Sequence, residues 1–592
     1  MQPNPTCPVL GTQFPYVKGA RFNTNKKCLP GTRVKFLDAI SDWVNNVDDS
    51  CPKALLLFGQ AGTGKSAIAH EIANRFHCAK RLTTSYCFVR GQPSGQNPRR
   101  FFTTLARDLC RTFPAFKTSL LDVLKDDPGV VSAEDYTTLF NSLIIKPLKD
   151  LQFLTPVIIV IDALDESEDA GSGGLRAGGN RVSFHSFLGQ HLSELPSNFR
   201  ILMTSRPDEN ILDAFPESLV HRLAMNDDQL SNEVESDIRT YIQVQLAGLS
   251  VSVEVLQQLA RKAECLFQWA YVACDYLADP PNGLDLNQCI QRVLHPPLDR
   301  KKAVNPLDDL YKTVLGRFDM DDDDVRKGFQ SIMGLIMGAF EPLSMEGLNL
   351  LRRHGLLHGE EFQDAYITIK GMGSLLSHVN RSESTLPIAP LHTSFRDFLT
   401  SPSRSEKFYV DLNEAHARFT SSTLHIIQAD LQFNMCKLET SYYLNSEVPD
   451  LDGRIKEHIP MALSYSCRFW AEHVRLAKFK FEWFKCIKTL IEEKLLFWLE
   501  VLSLKGELAV ATTALSGLRV WLSKVKHNVG FYSSFLVHSF NGESRFRTKE
   551  YSRWMGLLRT LLPLSDILDT RWLKARPTSI SLPSRFPHRL PL

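Results

Sequence analysis

A chain of 592 residues, 43% of them apolar and 23% charged, has the composition of ordinary globular domains and the length of about three to five of them. Its 68 basic and 66 acidic residues leave a net charge of +2, which argues against a dedicated nucleic-acid binder. The 12 cysteines are scattered without a Cys-x-x-Cys pair, which argues against a zinc ribbon or a disulfide framework. No stretch approaches a signal-peptide core or the ~18 uncharged apolar residues of a spanning helix, so we expect a soluble, cytoplasmic protein.

The first 50 residues predict a leader and a linker helix. Residues 1–30 are rich in Pro, Gly, Asn and Lys, which indicates a mobile or loosely docked segment. Apolar residues then recur at helical spacing, which predicts an amphipathic helix over 32–47. Its expected buried face comprises Val34, Leu37, Ile40, Trp43 and Val44.

The glycine-rich stretch at residues 54–67 reads ALLLFGQAGTGKSA, which indicates a strand, a phosphate-binding loop and a helix. Glycines at 59, 62 and 64 allow successive backbone N–H groups to point at a phosphate. Lys65 supplies positive charge for the β- and γ-phosphates, and Ser66 supplies a hydroxyl ligand for Mg²⁺. The positive end of the helix dipole adds to the attraction for phosphate. The predicted nucleotide contacts are Gly59, Gln60, Ala61, Gly62, Thr63, Gly64, Lys65, Ser66 and Ala67.

Strand and helix patterns alternate from residue 54 to about residue 225. Further strands are predicted at 85–89, 157–161, 200–204 and 219–223. The second of these segments, VIIVI at 157–161, is typical of a strand buried on both faces of a parallel sheet. The pattern therefore predicts a three-layer α/β domain. Five glycines between 169 and 180 indicate a flexible surface loop.

Charged residues follow two of the predicted strands. Asp162 is the candidate for holding Mg²⁺ through water. Glu166, or less favourably Asp165, is the candidate to orient or deprotonate an attacking water, although either also fits the start of the next helix. Arg206 could sense the γ-phosphate, or it could be a surface arginine capped by Pro207.

Several segments together carry a family resemblance. They are GQAGTGKS (59–66), VIIVIDALDE (157–166), FRILMTSRP (199–207) and CLPGTRVKFLDAISDW (28–43), followed by matching segments at 266–277, 342–351, 391–399 and 463–474. They resemble the NACHT class of signal-transduction (STAND) NTPases, in its fungal, nephrocystin-like branch. The resemblance covers residues from about 30 to 500.

The resemblance implies a closed, ADP-bound resting molecule that exchanges to ATP, opens and oligomerises, with slow hydrolysis as a timer. It also implies that a winged-helix histidine reaches the bound diphosphate. The matching position is His392, where a hydrogen-bonded structural histidine is an equal alternative. Cys265 stands where relatives usually carry glycine.

The predicted architecture is a three-layer α/β P-loop NTPase domain followed by helical, winged-helix-like and further all-α domains. The boundaries are a leader and linker helix at 1–50, the NTPase domain at 51–225, a helical domain at 226–300, a winged-helix-like domain at 301–410 with a small β element near 386–389, a helical domain at 411–575 and a disordered tail at 576–592.

The predicted function is an ATP/ADP-binding switch with slow, Mg²⁺-dependent hydrolysis, homo-oligomerisation on activation, and protein partners not yet identified. The alternative is a scaffold in which the helical part from 226 to 592 binds partners and the NTPase core only stabilises the fold. A helicase or metabolic kinase has less support, because neither a nucleic-acid footprint nor an acceptor-substrate motif occurs in the sequence.

Overall fold

The computed structural model describes most of the chain between residues 14 and 521. The gaps are 15, 18, 47, 49, 90–97, 134, 150, 154, 168–182, 227–232, 281–282, 296–304, 356–361, 380–383, 441–443, 479 and 519–520. The predicted glycine-rich loop at 169–180 and the predicted tail at 576–592 therefore lie outside the described residues. Within the described ranges, no helix is long and apolar enough to cross a membrane.

A parallel sheet of five strands forms the centre of the α/β domain. The strands are β1 (Ala54–Phe58), β2 (Leu82–Cys87), β3 (Val157–Asp162), β4 (Phe199–Ser205) and β5 (His221–Ala224). Their order is β2-β3-β4-β1-β5, and every neighbouring pair is parallel. The five predicted strands are confirmed, the second beginning three residues earlier than expected. Because β3, β4 and β1 are neighbouring parallel strands, the loops that follow them meet at one edge of the sheet.

Side chains on the central strands alternate between two hydrophobic cores. Ala54 and Leu56 of β1 belong to one core, and Leu55 and Leu57 belong to the other. The same alternation occurs along β3, whose VIIVI run is buried throughout. Helices cover both faces, so the predicted three-layer α/β architecture is confirmed.

The described residues divide into two compact units. The first extends to Phe318 and includes the separate segment Pro390–Phe398, and the second comprises Asp319–Ala389 and the chain from Leu399 onward. Helices of the first unit are α1 (Val34–Asn45), α2 (Lys65–Cys78), α3 (Pro98–Thr112), α4 (Pro114–Asp126), α5 (Tyr136–Phe140), α6 (Lys146–Leu148), α7 (Phe184–His191), α8 (Glu209–Ala214), α9 (Val234–Gln245), α10 (Val253–Lys262), α11 (Phe267–Ala278), α12 (Leu286–Leu294) and α13 (Pro306–Leu315). The finer domain boundaries given above remain predictions.

The linker helix forms as predicted, but the prediction that Val34 belongs to its buried face is wrong. Val34 is the first residue of α1 and its side chain is 43% exposed. The buried side instead begins with Phe36. The buried residues are Phe36, Leu37, Ile40, Trp43 and Val44, a stripe with the i, i+1, i+4, i+7, i+8 spacing of one helix face.

The described part of the leader is docked against the sheet. Phe14 is fully buried and its carbonyl oxygen accepts a hydrogen bond from the Arg107 guanidinium. The Cys87 backbone N–H donates to the Ala20 carbonyl oxygen at 2.7 Å. These contacts place the described part of the leader beside the end of β2, which agrees with the docked alternative of the prediction.

The second unit is mainly helical. Its elements are α14 (Asp323–Gly338), β6 (Leu343–Ser344), α15 (Met345–His354), α16 (Ala365–Ile369), β7 (Pro387–Ile388), α18 (Pro402–Ser405), α19 (Leu412–Asp430), α20 (Leu451–His458), α21 (Met461–Leu476), α22 (Phe481–Glu493) and α23 (Leu495–Leu504); α17 (Thr393–Leu399) lies almost wholly in the first unit. Strands β6 and β7 pair antiparallel, which confirms the predicted small β element.

A buried chain of hydrogen bonds joins the longer helices of the second unit. The Phe340 backbone N–H donates to the Tyr465 hydroxyl at 3.2 Å, and that hydroxyl lies 2.9 Å from Nε2 of His473. Nδ1 of His473 lies 3.0 Å from Nδ1 of His416, and the ring of Phe419 stacks on His473 at 4.2 Å. With Tyr465 donating to Nε2, His473 is neutral and donates through Nδ1.

We expect acid to destabilise this part of the second unit. Burial lowers the pKa of His473 well below its usual value, so the unfolded chain binds a proton that the folded chain does not. The contribution of neutral His473 to the free energy of unfolding is therefore fully present above about pH 6.5. It is lost as the pH decreases below that value, and the loss is about 2 kcal/mol between pH 7 and pH 5. Hydrogen exchange of the α21 amides, corrected for intrinsic rates, measures this loss. His473→Gln, which does not titrate, should be much less sensitive, and an equal acid sensitivity in both proteins would contradict the assignment.

Candidate functional site

The loop between β1 and α2 requires glycine at three positions. Gly62 and Gly64 have φ of +85° and +95°, in the left-handed region that favours glycine. A Cβ on Gly59 would lie 2.7 Å from Cβ of Met225, and a Cβ on Gly62 would lie 3.0 Å from Cβ of Gln268. The glycine spacing seen in the sequence therefore reflects both backbone conformation and close packing.

The first turn of α2 presents its N–H groups without a side-chain cap. The helix begins at Lys65, and Gly64 at its N-cap position offers no side-chain acceptor. N–H groups in a first turn have no acceptor within the helix, and together with the helix dipole they favour an anion. Ser66, exposed in the same turn, places its hydroxyl at this end of the helix. The backbone and donor set thus fit a nucleotide phosphate.

Lys65 lies among the charged side chains of the neighbouring loops. Its Nζ donates to the carbonyl oxygens of Gly59 and Gln60 at 2.7 and 2.8 Å. Burial lowers the pKa of Lys65 to about 8, opposed chiefly by the negative charge of Asp165 and reinforced by the positive charge of Arg206. The residues predicted from three separate motifs are therefore electrostatically coupled.

Asp162 is fixed at the end of β3 by the adjacent strand. Its carboxylate is 5% exposed and accepts a hydrogen bond from the Thr204 hydroxyl at 2.5 Å. The same hydroxyl accepts from the backbone N–H of Ala163 at 2.9 Å, and Ala163 adopts a left-handed φ of 58°. A 3₁₀ turn, Leu164–Glu166, follows at once. This turn brings Asp165 and Glu166 to the same edge as the phosphate loop.

His70 and Cys87 lie beside Asp162, and no motif indicated either. Their potential ligand atoms lie within 4.8 Å of each other and of an Asp162 oxygen. Nδ1 of His70 accepts the Asn23 backbone N–H at 3.2 Å, so a neutral His70 carries its proton on Nε2 and offers no lone pair there. Burial lowers the pKa of His70 and raises that of Cys87. Both neighbours of the Asp162 carboxylate are therefore uncharged near pH 7.

Arg206 follows β4 and binds two carboxylates. Its backbone N–H and its Nε contact the Asp165 carboxylate at 3.1 and 3.2 Å. Its Nη1 donates to Asp397 Oδ2 at 2.6 Å, and its Nη2 donates to the Thr393 hydroxyl at 3.0 Å. Asp397 and Thr393 belong to the separate segment Pro390–Phe398, which the sequence connected to this site only through His392. Asp165 is thus a partner of Arg206, and its part in hydrolysis remains a prediction.

His392 lies near the start of the same segment and is held in one tautomer. The Ser394 backbone N–H donates to Nδ1 of His392 at 3.1 Å, and the Ser394 hydroxyl lies 2.6 Å from the same atom and 2.7 Å from the Tyr311 hydroxyl. Burial, then the positive charges of Arg206 and Lys65, lower the pKa of His392 to about 4. The ring is neutral with its proton on Nε2. Nδ1 therefore has a structural role, and Nε2 is a hydrogen-bond donor.

Arg33 supports the outer side of the phosphate loop and was missed as a site residue. It is 4% exposed, its Nη2 donates to the Thr63 carbonyl oxygen at 2.6 Å, and its guanidinium lies 4.7 Å from the centre of the Phe267 ring. Its backbone N–H donates to Asp237 at 2.9 Å. The only signal for it in the sequence was its place in the resembling segment 28–43. Arg33 thus links the loop to α9 and α11.

Replacing Cys265 with glycine is expected to stabilise the first unit. Cys265 has a φ of 64° in the turn before α11, a left-handed conformation that a side chain disfavours by about 1 kcal/mol. We expect Cys265→Gly to raise the melting temperature by about 2 °C. Cys265→Ala, which keeps a Cβ, is the control and should give no such gain in thermal unfolding. Equal effects of Gly and Ala would show that the backbone conformation is not the cause.

Comparison with known proteins finds a family match for part of the first unit. Residues 31–206 match the family model described as "Nephrocystin 3, N-terminal". No curated protein matches the chain.

Solved structures show only distant similarity. One is PCH-2 of C. elegans, 13% identical, which covers 45% of this chain and 69% of its own with a TM-score of 0.22. Another is the Drosophila ORC bound to DNA, 12% identical, which covers 67% of this chain and 95% of its own with a TM-score of 0.26. TM-scores this low do not establish a shared overall fold.

The nephrocystin-like resemblance of the sequence is therefore confirmed over residues 31–206. Residues 31–206 are similar to the N-terminal region of nephrocystin 3, and they contribute the phosphate loop and the first four strands of a P-loop NTPase fold.

Proposed function

We propose that this chain is a NACHT-class switch that binds ADP and ATP with Mg²⁺ and hydrolyses ATP slowly. The observation that carries the proposal is the convergence of charged residues at Lys65. The carboxylates of Asp162, Asp165 and Glu166 and the guanidinium of Arg206 all act on the pKa of Lys65, and Lys65 and Arg206 act on that of His392. These residues come from four separate parts of the chain, and their electrostatic coupling within the first unit supports the proposal of a single nucleotide site.

Nucleotide binding would use the loop backbone and Lys65. The N–H groups of the loop and the first turn of α2 would donate to the phosphate oxygens, and Lys65 would exchange its bonds to the loop carbonyls for bonds to phosphate. Ser66 and Asp162 would hold Mg²⁺, with Thr204 keeping the Asp162 carboxylate in place. When bound, the metal ion would supply positive charge that offsets the negative charge of the phosphates.

Hydrolysis would depend on Glu166 as the group that orients or deprotonates water. Asp165 is occupied by both the backbone and the side chain of Arg206, so it serves better to position that arginine. Arg206 in turn is bound by two carboxylates, which limits its ability to stabilise charge on a transferring phosphoryl group. This arrangement supports slow rather than rapid turnover.

Switching would depend on the segment Pro390–Phe398. Since Ser394 occupies Nδ1 of His392, the histidine can donate to a diphosphate only through Nε2. Replacing the diphosphate with a triphosphate changes the charge next to both His392 and Arg206. We propose that this change is coupled to homo-oligomerisation and to binding of protein partners, as the NACHT resemblance implies.

The test is the nucleotide content and mass of the purified full-length chain. We expect co-purifying ADP, and a larger molar mass in ATP with Mg²⁺ than in ADP with Mg²⁺, measured by light scattering. Base preference follows from competition with GTP. Failure of the chain to bind either adenine nucleotide would refute the proposal and favour the scaffold alternative, whereas binding without a change in mass would refute the coupling to assembly.

A further inference from the structure

The guanidinium of Arg206 offers two kinds of contact. Its inner side, Nε together with the backbone N–H, is bound to Asp165, which follows β3 in the same sheet. Its outer side, Nη1 and Nη2, is bound to Asp397 and to Thr393. The two terminal amino groups form the planar fork with which arginine binds carboxylates and phosphates.

Asp397 is well placed to compete for this fork. The distance of 2.6 Å from Nη1 to Oδ2 is that of a charge-assisted hydrogen bond, and the carboxylate is 21% exposed, so water screens it only in part. A phosphate that approached the outer side of Arg206 would have to displace Asp397 or lie beside its negative charge. Both alternatives have a free-energy cost that a nucleotide without a third phosphate does not incur.

From this geometry we infer that Asp397 sets the nucleotide preference of the site, favouring diphosphate over triphosphate. The inference rests on the proposed function, because it assumes that the γ-phosphate of a bound triphosphate comes to Arg206. The Asp397 carboxylate binds the Arg206 guanidinium in place of that phosphate. It acts as a specificity-determining residue because its negative charge repels the γ-phosphate. Thr393 assists by occupying Nη2 with a neutral hydroxyl.

The same short segment thus has two opposite effects on nucleotides. His392 presents a neutral N–H donor, which can stabilise a bound diphosphate. Asp397, five positions later, presents a carboxylate that opposes the third phosphate. Both residues are held in the first unit, where Tyr311 contacts Ser394 between them.

The experiment compares ADP with a non-hydrolysable ATP analogue, both with Mg²⁺, on the full-length chain. Asp397→Asn keeps the shape of the side chain and removes its charge. We expect the ratio of triphosphate to diphosphate affinity to rise about tenfold, because triphosphate affinity increases while diphosphate affinity hardly changes. Asp213→Asn removes a charge from an exposed aspartate on α8 and is the matched control, with an unchanged ratio.

Two further variants keep the inference falsifiable. Thr393→Ala should also raise the ratio of triphosphate to diphosphate affinity, by a smaller factor. This variant replaces Asp397→Asn as the test if Asp397→Asn does not fold. In an Arg206→Gln background, the effect of Asp397→Asn should largely disappear, since the contested guanidinium is absent. An unchanged ratio in Asp397→Asn and Thr393→Ala, with nucleotide binding intact, would overturn the inference and leave the proposed function standing. If the unmodified chain bound neither nucleotide, the proposed function itself would be overturned.

Discussion

Lys65→Ala is expected to weaken the binding of ADP and ATP by about a hundredfold. The lysine Nζ lies at the loop carbonyls, and charge-assisted hydrogen bonds to phosphate contribute about 1.5–3 kcal/mol each. Losing about 3 kcal/mol lowers affinity by roughly two orders of magnitude. Isothermal titration of the full-length chain with each nucleotide measures the change directly.

The control must separate lost charge from a damaged loop. Lys65→Met keeps most of the side-chain volume and should lose affinity as strongly as Lys65→Ala. Lys125→Ala removes an exposed lysine, paired with Asp122 on α4, and should bind nucleotide normally. Wild-type affinity in Lys65→Ala, with unchanged circular dichroism, would rule out the phosphate loop as the binding element.

Glu166→Gln is expected to slow ATP hydrolysis by about 10²- to 10⁴-fold while leaving nucleotide affinity within a few-fold of wild type. The glutamine is isosteric but cannot accept a proton from water. Glu166 ends the 3₁₀ turn after β3, and its charge acts on both Lys65 and Arg206, so it lies near the phosphate loop and not on a remote surface. Single-turnover hydrolysis, with the protein in excess over ATP, isolates this step.

Asp165→Asn discriminates between the two carboxylates of that turn. Because Asp165 binds the backbone and side chain of Arg206, its loss should alter triphosphate binding through Arg206 and slow hydrolysis less than Glu166→Gln does. The opposite ranking, with Asp165→Asn inactive and Glu166→Gln active, would move the general base to Asp165.

Sequence patterns predicted the elements whose formation depends on local residues. The VIIVI run of β3 and the glycine spacing of the phosphate loop are local, because β-branched residues favour a buried strand and glycine alone adopts the φ required at Gly62 and Gly64 without strain. Val34 shows the limit of this reasoning. Periodicity gives a helix face to within about one position, and packing of Phe36 under the sheet decides which position is buried.

Contacts between distant residues could not be predicted in this way. The position of β4 between β1 and β3 brings Thr204 to Asp162, and no pattern in either strand encodes that order. Asp397 belongs to a recognised segment, but nothing in its neighbours indicates that it reaches Arg206. His70 and Arg33 likewise resemble ordinary helix and loop residues until the fold places them beside the site.

The order of the strands also has a consequence for how the protein is made. β1 pairs with β4 through Ala54 and Ile201 and with β5 through Leu55 and His221, so it has no hydrogen-bonding partner among the first residues synthesised. At about 5–20 residues per second, a ribosome needs roughly 10–30 s to make the intervening chain. During that interval an apolar strand has unpaired edges, which favours aggregation. Nascent chains stalled before residue 200 should therefore require a chaperone and remain unable to retain nucleotide.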